Sequence, residues 1–209
     1  MAEDGKGARR ARVAILAIAV AATQFSTLGV RAEGGPAIEL CCAWGKSLAD
    51  GVLTYVLGGD LDPATADVLR GAVGSWDSAL GTITLAEVPA TEKRPDIIIN
   101  FNEGAGDSEG LAITRFTRRG QIRQAELSVD APRAPAGTGA IEQIAKHELG
   151  HALGLRHANF DGDIMSPIVN PVSGPLSACD VAAVTEANRW QTMDGRRNPR
   201  APTATGVSC

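Results

Sequence analysis

The chain has no histidine outside eleven consecutive residues. All three of its histidines fall in HELGHALGLRH, residues 147–157 of 209. No second imidazole cluster can therefore be built elsewhere. A long apolar run is also missing. The longest, Val13 to Ala22, has ten residues, where a membrane-spanning helix needs about 20. Nor is there an excess of basic residues: the formal net charge is −4, which argues against nucleic acid as a partner. No internal repeat is found, which excludes solenoid and propeller arrays.

What is present begins with MAEDGKGARRARVAILAIAVAATQFSTLGVRA. Lys6, Arg9, Arg10 and Arg12 form a positive opening, the Val13–Ala22 run follows, and Val30-Arg31-Ala32 fits a small-residue cleavage site. The expectation is a leader cut after Ala32 and a secreted product with no membrane contact. The alternative is an uncleaved signal anchor that tethers the protein to a membrane. Without residues 1–32 the chain keeps 15 basic and 22 acidic residues, net −7. It remains long enough for one domain with its own core, and a monomer is expected.

Four cysteines, Cys41, Cys42, Cys179 and Cys209, all lie beyond the leader. They allow three connectivities. A bridge between neighbours is strained, so Cys41 and Cys42 are each expected to reach one of Cys179 and Cys209. Such links would tie the N-terminal segment to the last helix and the tail.

Patterning gives the elements. VLTYVL (52–57) alternates as a strand does. Asp62-Pro63 opens a helix, with Asp as N-cap and Pro in the first turn, and Val68, Leu69, Ala72, Val73, Trp76 and Leu80 on its apolar side. TITLAEV (82–88) and the continuous DIIINF (96–101) read as strands, the second buried on both faces. After the turn-rich 102–110 come LAITRF (111–116), the turn TRRG and QIRQAELSV (121–129). Residues 131–139 read as a linker. Ser177 with Asp180 forms a capping box for a last helix through about Trp190, and 194–209 read as loose except where Cys209 anchors them.

Between linker and last helix lies TGAIEQIAKHELGHALGL, whose apolar residues recur with a period near 3.6. Thr138 is the expected N-cap. His147 and His151 are i and i+4, one turn apart on one face, so both imidazoles can hold one ion. Glu148 is rotated about 100° from His147, poorly placed as a ligand beside them and well placed to reach water on the ion. Gly154 can stop the helix with a positive φ and let the chain bring His157 back. Three neutral imidazoles with one open position are the ligand set of a catalytic zinc site. Met165 follows His157 by eight residues, with Pro167 after it.

HExxHxxGxxH with this downstream methionine resembles the metzincin zinc endopeptidases, and the Met-x-Pro looks most like the matrixins, the matrix metalloproteinase family and its bacterial relatives. The resemblance covers roughly 50–192. It implies an α+β fold: a twisted, mostly parallel five-stranded sheet, two long helices, a zinc cleft, and a small C-terminal subdomain with a methionine turn and a last helix. The implied division is leader 1–32, N-terminal segment 33–50, catalytic domain 51–192 and tail 193–209. Carried over residue by residue, His147, His151 and His157 bind one catalytic zinc ion, Glu148 is the general base, and Met165 and Gly154 support the site. Leu111 and Ala112 would pair with an extended peptide or protein substrate by strand addition.

Animal matrixins carry a second, structural zinc held by further histidines. With none left here, that site is expected to be absent. Asp107 and Glu109 offer calcium only a weak i, i+2 acidic pair, and a solvated loop is the commoner use. Val169 stands where animal relatives usually carry tyrosine in the specificity wall. A zinc-capping thiolate from Cys41 or Cys42 would need a propeptide motif that the chain lacks. Arg115, Arg118, Arg119 and Arg123 cluster near a hairpin, either to favour acidic substrate residues or, more commonly for such runs, as a solvated turn. Two rival functions remain. A non-catalytic zinc-binding module of the same fold would be expected to have lost Glu148. A purely structural zinc domain would need a fourth protein ligand.

Overall fold

The computed structural model describes residues 34–102, 110–130, 137–168, 174–191, 202 and 204–209. They belong to one unit, Glu33–Cys209. The strands are β1 (Ala37–Leu40), β2 (Val52–Gly58), β3 (Thr84–Glu87), β4 (Ile97–Asn102), β5 (Gly110–Phe116), β6 (Ile122–Asp130), β7 (Leu155–Ala158) and β8 (Gly206–Ser208). The helices are α1 (Pro63–Ala79), α2 (Thr138–Ala152) and α3 (Ala178–Ala187).

Five strands form one sheet in the order β3-β2-β4-β6-β5. Its first three pairings are parallel and the last, β5 with β6, is antiparallel. β4 is the strand read from the unbroken Ile97-Ile98-Ile99 run, but it is buried on one face only. Ile97 and Ile99 are covered, while Ile98 and Asn100 on the other face are half-buried, so the expectation of burial on both faces does not hold. α1 starts where expected: the Asp62 carboxylate accepts from the backbone N–H of Ala64 at 2.9 Å and of Thr65 at 3.1 Å, with Pro63 in the first turn. It buries Leu69, Ala72, Val73 and Trp76. The Trp76 indole donates to the Lys146 carbonyl of α2 at 2.9 Å, which locks the two helices together.

α2 begins one residue earlier than its sequence suggests. Gly137 is the N-cap, without a side-chain cap, and Thr138 is already helical. The Ala140 N–H bonds to the Gly137 carbonyl at 3.0 Å, so the backbone itself closes the first turn. At the other end Gly154 takes φ 107°, and a side chain there would collide with the Cys42 carbonyl. α3 carries the full capping box between Ser177 and Asp180. It ends at Ala187, and a 3-10 turn at Arg189–Gln191 takes the chain past Trp190.

A second sheet, β7-β1-β8, has no counterpart in the sequence reading. Its strands are three or four residues long and pair antiparallel across more than a hundred residues of chain, Ile38 with Ala158 and with Val207. The end of the tail is therefore not loose: Gly206–Ser208 is a strand on β1.

The disulfides also differ from expectation. Cys41 bridges Cys42, with Cα atoms 3.7 Å apart, and Cys179 bridges Cys209. β1 pairs with β7, not with α3, so the pair that follows it meets the Gly154 bend: the Cys41 N–H donates to the Gly154 carbonyl at 2.9 Å. β8 meanwhile brings Cys209 to the start of α3. No helix among the described residues is long and apolar enough to cross a membrane.

Candidate metal centre

α2 presents His147 and His151 on one face, and the bend at Gly154 turns the chain into β7, which carries His157. A potential ligand atom of each lies within 4.8 Å of the others. The His147 and His151 ring centroids are 4.7 Å apart, and that of His157 is 5.4 Å and 4.9 Å from them.

Two backbone carbonyls fix the rings. The Ile164 carbonyl lies 2.6 Å from His147 Nδ1, and the Leu155 carbonyl 3.0 Å from His151 Nδ1. Carbonyl oxygen only accepts, so each Nδ1 holds the proton and donates it. Each Nε2 is then a bare lone pair, and the two face each other at 3.1 Å. Such a pair has no proton to share and calls for a cation. Metal-binding histidines usually donate their second ring N–H to a carbonyl or carboxylate. Nitrogen ligands on a tetrahedral zinc ion lie about 3.3 Å apart. The donor set thus fits zinc.

Burial keeps the rings in the metal-binding, neutral form. It pushes His147 down to about 4 and His151 to about 3. His157, at the edge, is lowered by the same cause, with the Glu39 charge opposing. Among the described residues no cysteine or carboxylate joins the cluster. Cys41 and Cys42 are bonded to each other and offer no thiolate.

Glu148 is 5% exposed. Its carboxyl is pushed up to about 8, first by burial and then by the charge of Asp130 at the end of β6. It fits against β5 only because residue 110 is glycine. A Cβ there would stand 2.8 Å from Glu148 Cγ and 2.8 Å from Ile144 Cγ2. β5 is the sheet's edge strand and pairs with β6 alone. Leu111 and Ala112 follow Gly110 at its start, and Leu111 is 41% exposed.

Met165 is fully buried beneath α2. Its N–H bonds to the Asp163 carboxylate at 2.9 Å, and its carbonyl accepts from the Ala158 N–H of β7 at 2.8 Å. Its sulfur occupies the space that a side chain on Gly150 would need. Asp163 also accepts from Ser177 Oγ at 3.2 Å, which ties this turn to the capping box of α3.

The structure therefore brings together His147, His151, His157, Glu148, Gly154 and Met165 and puts Leu111 and Ala112 on the adjoining edge. Asp107, Glu109 and Val169 lie outside the described residues. Sequence reasoning missed Gly110, Gly150, Asp130, Asp163 and the carbonyls of Leu155 and Ile164. Only the two glycines carried a sequence signal. Gly150 interrupts a helical pattern without ending it, and Gly110 opens a strand.

A family model described as Matrixin matches residues 51–187. Matrix metalloproteinase-16 of Homo sapiens is 37% identical over 123 residues, which are 51% of this chain and 20% of that protein. The chain thus matches about a fifth of the length of that relative. The family match begins at β2, ends with α3 and takes in the whole histidine cluster: this chain belongs to the matrixin family.

Proposed function

We infer that the chain is a zinc-dependent endopeptidase, exported by its leader and acting on extended peptide segments. The observation that carries this reading is the pair of bare imidazole nitrogens, His147 Nε2 and His151 Nε2, 3.1 Å apart, with His157 beside them. His147, His151 and His157 would hold one zinc ion. The chemistry a bound zinc ion supplies is that of a Lewis acid: water acidified toward a pKa of about 7 and a polarised carbonyl.

The protein's own groups do the rest. The carbonyls of Ile164 and Leu155 hold His147 and His151 in the tautomer that turns Nε2 toward the ion. Glu148 takes the proton of the attacking water on its carboxylate and later gives it to the leaving amine. Burial raises its affinity for that proton, and a cation beside it acts in the opposite sense, so both states stay accessible near neutrality. The free edge of β5 at Leu111 and Ala112 offers main-chain donors and acceptors to the substrate backbone, and neighbouring side chains select its residues. Met165 supports α2 from below, between the turns that carry His147 and His151.

The test compares wild type with Glu148→Ala on casein and on a generic peptide, with zinc content measured in both. Zinc-loaded wild type is expected to cleave, and the zinc-loaded variant to lose at least about a hundredfold in kcat, the contribution of a general base. Equal rates would remove Glu148 from the mechanism. Activity that persists after a strong chelator has stripped the metal would remove zinc.

A further inference from the structure

The edge strand joins two different places. Its first residue, Gly110, touches Glu148. Its last, Phe116, leads into a hairpin closed by a Thr117 N–H to Gln121 carbonyl bond of 2.8 Å, with Gly120 at φ 75°. Arg118, Arg119 and Arg123 are exposed on that hairpin. The chain brings Lys46 there too, because the Gly45 N–H donates to the Ile122 carbonyl at 2.8 Å. Arg115 is engaged by Glu126 at 3.3 Å. Arg118, Arg119 and Arg123 have no ion pair among the described residues, and no acidic residue occurs between Gly110 and Ala125. In a chain of net charge −7 beyond residue 32, this is a local inversion of sign.

The strand between exposes three large apolar side chains, Leu111 at 41%, Ile113 at 46% and Phe116 at 45%, and one charged one, Arg115, which is paired with Glu126. A peptide added to this edge would advance about 3.4 Å per residue. It would pass an apolar stretch first and reach the arginines roughly 20 Å, or about six residues, from Glu148.

We propose that Arg118, Arg119 and Arg123 form a remote subsite for acidic residues of an extended substrate, about six residues from the bond that is cut. This rests on the endopeptidase reading, and it adds a substrate class: segments apolar near the cleavage point and acidic further along one side. Arg118 and Arg119 sit on a turn held by its own backbone bonds and Arg123 sits on β6 beside it, so a bound carboxylate need not order the loop. Each exposed pair contributes little alone, and several together set the preference.

The experiment uses peptides with one cleavable centre and three glutamates placed six to eight residues to its N-terminal or C-terminal side. One placement, and not the other, is expected to lower KM about fivefold with kcat unchanged, because a substrate has one polarity along the strand. The gain should vanish in 0.5 M salt, where charges beyond a few ångströms are screened. It should vanish too in a variant with Arg118, Arg119 and Arg123 all changed to glutamine, whose Tm stays that of wild type. Fluorescence anisotropy of the same peptides on the zinc-loaded Glu148→Ala chain gives a readout that needs no turnover. If nothing is cleaved but the acidic peptide binds through the arginines, the endopeptidase reading fails and the subsite stands. No effect of either placement, or an effect that survives the triple substitution, overturns the proposal. So does tight binding of dextran sulfate with indifference to acidic peptides.

Discussion

Met165 lies in the space that a side chain on Gly150 would need, with Trp76 closing the other side. The helix tolerates a glycine between His147 and His151 because the sulfur fills its place. Glycine costs a helix about 1 kcal/mol relative to alanine, so Gly150→Ala gains on propensity. Overpacking a closed core costs about 1–3 kcal/mol. With Met165 fully buried, the steric cost should win. Gly150→Ala is expected to destabilise by about 1 kcal/mol in urea unfolding. Met165→Ala alone should cost about 2–5 kcal/mol through the cavity it leaves. The double variant should be more stable than the sum of the two losses, because the new methyl enters the space left by the sulfur. Simple additivity would show that the two residues do not share one space.

Metal removal should make stability depend on acid. In the folded chain His147 and His151 are held at about 4 and about 3 by burial, against about 6.5 when unfolded. Their folded values are depressed, so their contribution is complete above pH 6.5 and is lost as pH falls toward 4. The loss is on the order of 3 kcal/mol for each ring. Glu148 and Asp180, both raised by burial, oppose this trend, so the test uses a Glu148→Gln, Asp180→Asn background. Stripped of metal, it is expected to unfold at lower urea at pH 5 than at pH 7.5. Saturating zinc at pH 7.5 should raise the midpoint, by about 4 kcal/mol at a thousandfold excess over Kd. A midpoint indifferent to pH in that stripped background would contradict the burial of these rings.

Asp180 should act in the opposite direction. Burial, with Asp163 nearby, pushes its carboxyl up to about 7, and Oδ1 has no hydrogen-bond partner among the described residues. A folded value above the unfolded one gives a contribution that is full below about pH 4 and fades as pH rises through 7. Asp180→Asn keeps an oxygen for the Ser177 N–H, now held by Oδ2 at 2.7 Å, and removes the charge. In zinc-loaded protein the variant is expected to gain on wild type in urea midpoint between pH 5 and pH 8. A constant difference across that range would mean that Asp180 is ionised throughout.

The parts legible in sequence are those fixed by local rules. The 3.6 period of α2, the Asp62-Pro63 start of α1, the Ser177–Asp180 capping box and the Ile97–Ile99 run each state their own structure. The spacing of His147, His151, Gly154 and His157 states a ligand set for the same reason, since it spans one helix, one bend and one strand. What stayed hidden depends on distant chain. β1, β7 and β8 are too short to carry a pattern and exist through one another. The Cys41–Cys42 and Cys179–Cys209 pairing follows from that sheet. The Ile164 and Leu155 carbonyls that orient the histidines are main-chain atoms, to which residue identity gives no clue.

Gly110 tests how closely the edge strand governs Glu148, the proposed base. Its missing Cβ leaves room for Glu148 Cγ and for Ile144, and Asp130 lies near enough to raise the carboxyl's proton affinity. Gly110→Ala puts a methyl into that room. The backbone of β5 is paired with Val129 at this residue and Ile144 is packed in the core. The Glu148 side chain is therefore the group that yields. A displacement near 1 Å of a catalytic group costs up to about a hundredfold, so kcat is expected to fall ten- to a hundredfold. Zinc content should stay at wild-type level, because neither residue holds the metal. In the Glu148→Ala background the same substitution should cost less stability, since the larger of its two obstacles is gone. Wild-type kcat in a zinc-loaded Gly110→Ala protein would mean that Glu148 works from a different position, away from β5.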